Sequence, residues 1–200
     1  MVSLPGMTQD ERHIDSPAAL KALAHPLRVR LLGALRETGA GSATELARAL
    51  DTDTGSTSYH LRVLAQHGFV EEEPRADGST RHPRERRWRP VHRVNTWDNV
   101  DLAATAEGRE AGDLMRRRQA EVLVRDVLDF EEQQPHLDRS WVAAAGIGDL
   151  VVRLTPASLD ALWERFYGHL DELVAEDAAS RDARPVSSVV AGFPRPLEDR

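Results

Sequence analysis

Apolar residues recur at helical spacing in the first part of the chain. Ser16-Pro17 suits an N-cap and a first helical residue, and a helix is predicted to follow it. His25-Pro26 interrupts this helix because proline cannot donate a backbone hydrogen bond within it. A second helix is therefore predicted from Pro26 to about Glu37, and His25 is interpreted as a structural residue at the junction. The apolar positions of these two helices are Leu20, Leu23, Ala24, Leu27, Leu31, Leu32 and Leu35.

Two further helices are predicted between residues 42 and 68. Ser42 and Glu45 have the spacing of a capping box at the start of the first. The polar segment Asp51–Thr54 suits a turn and the next N-cap. The second helix should begin near Gly55 or Ser56 and end at Gly68, since glycine readily takes the left-handed conformation after a helix.

A helical wheel divides the second of these helices into two faces. The residues expected to point inward are Thr57, Ser58, Leu61, Leu64 and Ala65. Those expected to point outward are Ser56, Tyr59, His60 and Val63, with Arg62 and Gln66 on the flank. The outward side chains can bond to base edges and phosphates. The alternative is an ordinary amphipathic helix with a solvated polar face.

An arginine-rich hairpin is predicted directly after this helix. Strands are expected at Phe69–Glu73 and Arg86–Val91, with hairpin-turn residues at Ala76–Ser79. Residues 79–93 contain six arginines and one acidic residue, Glu85. Guanidinium groups suit phosphate oxygens and narrow minor grooves, although a charge run alone can be a solvated face. Trp88 is expected to be a core anchor under the hairpin.

Two short helices followed by a basic hairpin are typical of a winged helix-turn-helix domain. The predicted fold is mainly α with a small β component. The helix at 55–67 is expected in the major groove of double-stranded DNA, and the wing at 71–91 on the backbone or in the minor groove. The predicted DNA-binding residues are Thr54, Ser56, Thr57, Tyr59, His60, Arg62, Arg81, Arg84, Arg86 and Arg87.

Three segments resemble ArsR-type (arsenic-repressor-like) winged-helix regulators. Residues 20–32 are similar to the family's opening helices, 55–64 to its recognition helix and 84–89 to the wing of one branch. The resemblance covers residues 16–93. It implies a homodimeric transcriptional regulator, usually a repressor that a signal releases.

The chain departs from the metal-sensing members of that family. They carry a Cys-x-Cys pair after Glu-Leu, whereas Glu45-Leu46 is followed here by Ala47–Ala49, and the chain contains no cysteine. Thiolate metal sensing at that position is therefore excluded. His136 and His169 lack the paired spacing of a zinc site. No metal, cofactor or catalytic set is predicted, and the chain is not expected to be an enzyme.

The second half is predicted to hold a long helix and a small extension. The helix should run from about Glu110 to Gln134 and pair with its twofold mate in a homodimer, or else pack over its own domain. A strand–helix–strand unit is expected at 149–154, 155–175 and 186–191. Trp141, Trp163 and Phe166 are either core residues or the lining of a pocket for a small apolar effector.

Charge divides the chain in the same way. Residues 1–95 hold 14 basic and 12 acidic residues, whereas 96–200 hold 12 basic and 21 acidic. The acidic half would repel phosphate and is expected to lie away from DNA. The predicted organisation is a flexible tail at 1–14, a DNA-binding domain at 15–95 and a dimerisation or effector region at 96–200. The sequence has no apolar run of membrane-spanning length, and a cytoplasmic protein is expected.

Two alternatives remain open at this point. A winged-helix domain can bind protein partners without touching DNA, in which case the acidic half could be the working surface. The domain could also bind DNA under the control of a small apolar ligand in the C-terminal region.

Overall fold

The computed structural model describes residues 11–74 and 86–196. The chain divides into two compact units, Met1–Arg118 and Gln119–Arg200. This border lies within a long helix, whereas the sequence predicted it between residues 95 and 96. The first turns of the long helix contribute buried residues to the first unit.

Four helices in the first unit lie where the spacing of apolar residues predicted them. Glycines with φ of 84° and 70°, Gly39 and Gly68, follow the second and fourth of them. Asp53 accepts from the Ser56 amide at 2.6 Å, so the fourth helix begins at Thr54, slightly earlier than predicted. The helices are α1 (Pro17–Leu23), α2 (Pro26–Thr38), α3 (Ala43–Ala49) and α4 (Thr54–Gln66).

The capping box at the start of α3 is formed as predicted. The Ser42 amide donates to Glu45 Oε2 at 2.8 Å, and the Glu45 amide donates to Ser42 Oγ at 3.3 Å. Both amides would otherwise lack a partner within the helix. The start of the first helix of the helix-turn-helix pair is therefore fixed locally.

A three-stranded antiparallel sheet in the first unit combines one strand before α3 with two strands after α4. Its order is β2 (Gly41–Ser42), β4 (Arg87–Pro90) and β3 (Val70–Glu72). The pairing of β3 with β4 confirms the two predicted wing strands. The predicted turn at 76–79 lies outside the described residues. Trp88 on β4 is 7% exposed and belongs to the core, as expected.

The N-terminal segment corrects one prediction. Glu11–His13 forms a strand, β1, that pairs in parallel with β5 (Val94–Thr96), and the next residue, Ile14, is buried. The prediction of a flexible tail through residue 14 is therefore wrong for 11–14, while 1–10 lie outside the described residues. The segment after β5 continues into the short helix α5 (Asn99–Ala103).

Leucine side chains from α1, α2 and α4 form the centre of the core. Removal of such side chains from water supplies most of the driving force for this packing. The fully buried members include Leu20, Leu31, Leu35, Leu61, Leu64 and Phe69. The packed face of α4 therefore fixes which of its faces is left outward.

The long helix, α6, spans Ala106–Gln133 and confirms that element. Its first turns pack into the first unit through Ala111 and Met115. A Cβ on Gly108 would lie 2.2 Å from the Leu102 carbonyl oxygen, so glycine permits the close approach to α5. Lys21 on α1 also pairs with Glu110 at 2.6 Å.

The second unit is helical in its described part. The C-terminal part of α6 is followed by a single turn at Gln134–His136, by α7 (Arg139–Ala144) and by α8 (Pro156–Asp177). Helix α8 confirms the predicted helix. The strands expected at 149–154 and 186–191 are wrong, because neither segment is paired with a neighbouring strand. None of the described helices is both long enough and apolar enough to cross a membrane.

Candidate nucleic-acid interface

Helix α4 presents a polar face to solvent beside the wing. Thr57, Leu61 and Leu64 are fully buried on its inner face. The side chain of Tyr59 is on the outer face and is 57% exposed, and Arg62 is also exposed. The ring and phenol hydroxyl of Tyr59 are therefore free of the core and available to a partner.

An open cleft joins the start of α4 to the wing. Its volume is about 290 Å³, and hydroxyl and guanidinium groups from α3, α4 and the wing line it. Within it, Arg62 Nε donates to the Ser58 carbonyl at 3.1 Å, which directs that guanidinium along the helix surface. The lining includes Thr44, Thr54, Ser58, Arg62, Arg86 and Trp88.

The side chains that line the cleft are of the kinds that bind phosphate groups. Hydroxyl groups donate to phosphate oxygens, and a guanidinium adds charge-assisted hydrogen bonds. Thr54, Arg62 and Arg86 were predicted from the sequence, and the structure brings them together. Thr44 was not predicted, and Ser58 was assigned to the inner face. The sequence offered one signal for these two residues, namely a hydroxyl side chain near the start of a helix. Thr44 is in the first turn of α3, and Ser58 is one turn into α4.

The two neighbouring arginines of the wing have different surroundings. The Arg86 side chain is 62% exposed, and its Nε lies 3.6 Å from Glu72. The Arg87 side chain is 25% exposed, and its Nη1 donates to both carboxylate oxygens of Glu45 at 2.8 and 2.9 Å. Arg87 Nη2 donates to the Ala40 carbonyl at 2.8 Å, and Nε lies 3.3 Å from Glu73.

These contacts give Arg87 a structural role that the sequence did not reveal. Its guanidinium joins β4 to the capping box of α3 and to the end of β3. The sequence grouped Arg87 with the DNA-binding arginines because strand alternation alone does not show which carboxylates lie beside it. Arg81 and Arg84, the other two predicted wing contacts, lie outside the described residues.

The outward orientation predicted for His60 is wrong. Its side chain is buried, its ring centroid lies 4.3 Å from that of His25, and its Nδ1 lies 3.3 Å from Arg28 Nη1. Thr57 is fully buried as well and cannot reach DNA in this conformation. The spacing of Thr57, His60, Leu61 and Leu64 is that of a helix stripe, and this signal could have placed His60 inward.

Burial sets the protonation of the histidine pair. Loss of solvation lowers the pKa of His60, and the nearby Arg28 cation lowers it further. The pKa of His25 is lowered by the same loss of solvation and then by the charges of His60 and Arg28. Both rings therefore favour the neutral form, which suits a buried contact between α2 and α4.

Ser56 lies at the start of α4 and is half-buried, with its amide bonded to the Asp53 side chain. It is near Thr54 on the first turn, so these two predicted DNA-binding residues lie at the same end of α4.

The aromatic residues suggested for an effector pocket contact separate segments of the second unit. The Trp141 ring lies 5.7 Å from the Arg184 guanidinium, and a Cβ at Gly192 would lie 2.8 Å from Trp163. Within the described residues, no cluster of three or more histidine or acidic side chains could hold a metal ion.

A comparison with known protein families finds a match over the segment that contains α4. Residues 23–73 match a helix-turn-helix domain family, which spans α2 to β3 and confirms the ArsR-type resemblance there. The match supports a DNA-binding transcriptional regulator. No curated protein matches the chain.

One solved structure similar to this chain comes from Mycobacterium bovis. It is the solution structure of a homodimeric winged helix-turn-helix DNA-binding domain from a possible ArsR-family transcriptional regulator. The two sequences are 21% identical over 61% of this chain and 86% of that chain, with a TM-score of 0.31. At this TM-score the two chains do not superpose as wholes.

Proposed function

Because residues 23–73 carry a helix-turn-helix domain of the ArsR type, we propose that this protein is a sequence-specific DNA-binding regulator of transcription. One observation carries the proposal. The exposed face of α4 and the exposed Arg86 of the wing border the same open cleft, which is lined by hydroxyls and guanidiniums. This arrangement matches the two tasks of such a domain, base reading and backbone holding.

Helix α4 is proposed to enter the major groove. Tyr59 is the exposed aromatic side chain of this helix and would lie at the base edges, where the hydroxyl can donate or accept. Thr54 and Ser56 lie at the N-terminal end, where their hydroxyls can bond to a phosphate, while the Ser56 amide is bonded to the Asp53 side chain. Arg62 would reach the bases or the adjacent phosphate from the flank.

The wing is proposed to hold the backbone next to the major groove. Arg86 is the described wing arginine that lines the cleft, and its pairing with Glu72 at 3.6 Å is loose and exposed. Such an ion pair contributes little to stability, so exchanging it for a phosphate costs little. Arg81 and Arg84 remain proposed contacts of the same wing.

The protein is further proposed to act in the cytoplasm as a homodimeric repressor. A dimer would place two α4 helices in successive major grooves about 34 Å apart and would recognise a palindromic site. Blocking of transcription by occupancy is the simplest outcome of such binding. Helix α6 is the proposed dimerisation element.

Selection of genomic fragments by the purified protein tests this proposal. We expect enrichment of one short sequence with twofold symmetry, followed by tight binding in a fluorescence anisotropy titration. Tyr59→Ala should change the preferred bases, whereas Arg86→Ala should weaken binding to all sequences and reduce the salt slope by about one phosphate contact per chain.

Arg139→Ala serves as the matched control. Arg139 is an exposed arginine of α7, in the second unit, and belongs to neither the α4 face nor the wing. This variant should bind DNA like the unmodified protein. If selection enriches no sequence and the binding does not depend on Tyr59 or Arg86, the domain serves another kind of partner and the proposal is wrong.

A further inference from the structure

Two histidine rings lie against each other where the junction of α1 and α2 meets α4. The ring centroids of His25, at the junction, and His60, on α4, are 4.3 Å apart, and their planes differ by 31°. His60 is 9% exposed and His25 is half-buried. The proposed DNA contacts do not use this pair, although His60 is the direct neighbour of Tyr59 in the chain.

The Nδ1 atoms of both rings accept hydrogen bonds, and this fixes where the rings can carry a proton. The Leu27 amide donates to His25 Nδ1 at 3.2 Å, so this ring caps the N-terminus of α2. Arg28 Nη1 lies 3.3 Å from His60 Nδ1, and a guanidinium can only donate. A proton on either Nδ1 would therefore replace an acceptor by a donor and break the bond that holds that ring.

The charged groups around the pair oppose the uptake of a proton. Loss of solvation lowers the pKa of His25 most, followed by the charges of His60, Arg28 and Arg118. Loss of solvation and then Arg28 lower the pKa of His60, while Asp53 at the start of α4 raises it. A charged ring would therefore be repelled by Arg28 and by a charge on the other ring.

His60 also contacts the side chain that the proposed function places at the base edges. The Tyr59 ring stands edge-on to the His60 ring, with centroids 5.1 Å apart and planes 73° apart. Tyr59 is 57% exposed, and Arg28 lies within electrostatic reach of its phenol. A change in the position of the His60 ring would therefore change the position of the Tyr59 ring that rests against it.

We propose that the His25–His60 pair is a proton-sensitive device that positions Tyr59. The neutral pair holds Tyr59 in the orientation that reads bases, and a proton on Nδ1 of either ring releases it. Acidification would then remove the preference for one DNA sequence. Attraction to DNA of any sequence would not fall, because protonation adds positive charge. The inference rests on the proposed function, in which His60 becomes a positioning residue that acts through Tyr59.

Asparagine substitutions separate titration from structure. Asparagine offers an oxygen acceptor near the position of histidine Nδ1, does not titrate and has a similar helix propensity. The His25→Asn/His60→Asn protein should therefore keep the bond from Arg28 and the cap on α2. His67→Asn is the matched control, since it removes a histidine at the C-terminal end of α4 that lies outside the pair.

Fluorescence anisotropy with the selected duplex and with a scrambled duplex measures sequence preference as a ratio of dissociation constants. From neutral pH downward, the preference of the unmodified protein and of His67→Asn should fall with a slope approaching about tenfold per pH unit per chain, as uptake of one proton requires. The preference of the double variant should not change with pH. Affinity for the scrambled duplex should not weaken in any of the three proteins. Circular dichroism at each pH restricts the comparison to folded protein.

The NMR signals of the Tyr59 ring give a readout that needs neither DNA nor the double variant. As the pH falls, they should shift with the same midpoint as the signals of the His60 ring. In His60→Asn this shift should be absent. A pair that only stabilised the fold would leave the Tyr59 signals in place until the protein unfolds.

The inference is overturned if the preference of the unmodified protein does not depend on pH, if the double variant keeps the same dependence, or if the Tyr59 signals do not follow His60. Fragment selection at neutral pH keeps the two proposals apart. If one sequence is enriched and its preference is independent of pH, the inference fails while the proposed function stands. If no sequence is enriched, the proposed function fails, and the Tyr59 signals decide whether the pair moves that side chain.

Discussion

Arg86 and Arg87 are adjacent in the wing, and their replacement should have opposite consequences. Arg87 donates to Glu45 and to the Ala40 carbonyl at 2.8–2.9 Å and lies 3.3 Å from Glu73. Arg86 has a looser pairing with Glu72 at 3.6 Å. We expect Arg87→Ala to destabilise the fold and Arg86→Ala to weaken DNA binding without destabilising it.

The magnitude for Arg87 follows from its partners. Hydrogen bonds to charged groups contribute about 1.5–3 kcal/mol where they are buried, but solvent screens partly exposed pairs. The Glu45 side chain is 52% exposed and the Glu73 side chain 34% exposed, so the pairs count for less. With the neutral bond to Ala40, the free energy of unfolding should fall by about 2 kcal/mol. Arg86→Ala should change it by less than about 0.5 kcal/mol.

Urea denaturation and salt-dependent DNA binding measure the two effects. Arg87→Ala should move the unfolding midpoint down by about 1 M urea, whereas Arg86→Ala should leave it unchanged. In the anisotropy titration, Arg86→Ala should lower the slope of log affinity against log salt by about 1 per chain. Arg87→Ala, below its unfolding midpoint, should keep the slope of the unmodified protein.

The assignment of different roles to Arg86 and Arg87 would be refuted if the two variants behaved alike. If Arg87→Ala unfolds at the same urea concentration as the unmodified protein and loses as much salt slope as Arg86→Ala, both arginines serve DNA. The guanidinium–carboxylate contacts at Glu45 would then contribute nothing measurable to the fold.

Three further changes probe the elements that position α4. Burial lowers the pKa of His25 and His60 below the ordinary 6.5, so the unfolded chain takes up protons first as pH falls, and stability should decline as the pH falls below about 7. His60→Gln should flatten that decline in urea midpoints, and an unchanged pH profile would count against the buried pair. Gly68→Ala should cost about 1 kcal/mol in the same assay because φ is 70° there, and a neutral result would contradict the left-handed end of α4. Ser42→Ala should also cost about 1 kcal/mol by removing the cap on the Glu45 amide, with Thr38→Ala, an exposed position at the end of α2, as the control.

The sequence was sufficient to predict the helices whose signals lie within a few residues of one another. The Ser42–Glu45 capping box, the interruption at His25-Pro26 and the leucine spacing each act within a few residues, and the helices that they predicted are present. The pairing of Glu11–His13 with Val94–Thr96 joins segments about 80 residues apart, and three-residue strands leave no periodic pattern to detect. That sheet became visible only with the fold.

The candidate site divides in a similar way. Tyr59 and Arg62 were placed outward by helical periodicity alone, whereas the burial of His60 depends on His25 and Arg28 approaching from α2. The difference in role between Arg86 and Arg87 depends on Glu45, which lies about 40 residues earlier and bonds to Arg87. The β-branched residues at 149–154 have strand propensity, but propensity does not make a strand without a neighbouring edge.

Hydrogen–deuterium exchange with and without the selected DNA duplex tests the central claim most directly. The account predicts slower amide exchange in α4, Thr54–Gln66, and in β4, Arg87–Pro90, with unchanged exchange in α8, Pro156–Asp177, at protein concentrations that keep the dimer fully formed. Protection confined to the second unit, or none at saturating duplex, would contradict the assignment of the α4 face and the wing as the nucleic-acid interface.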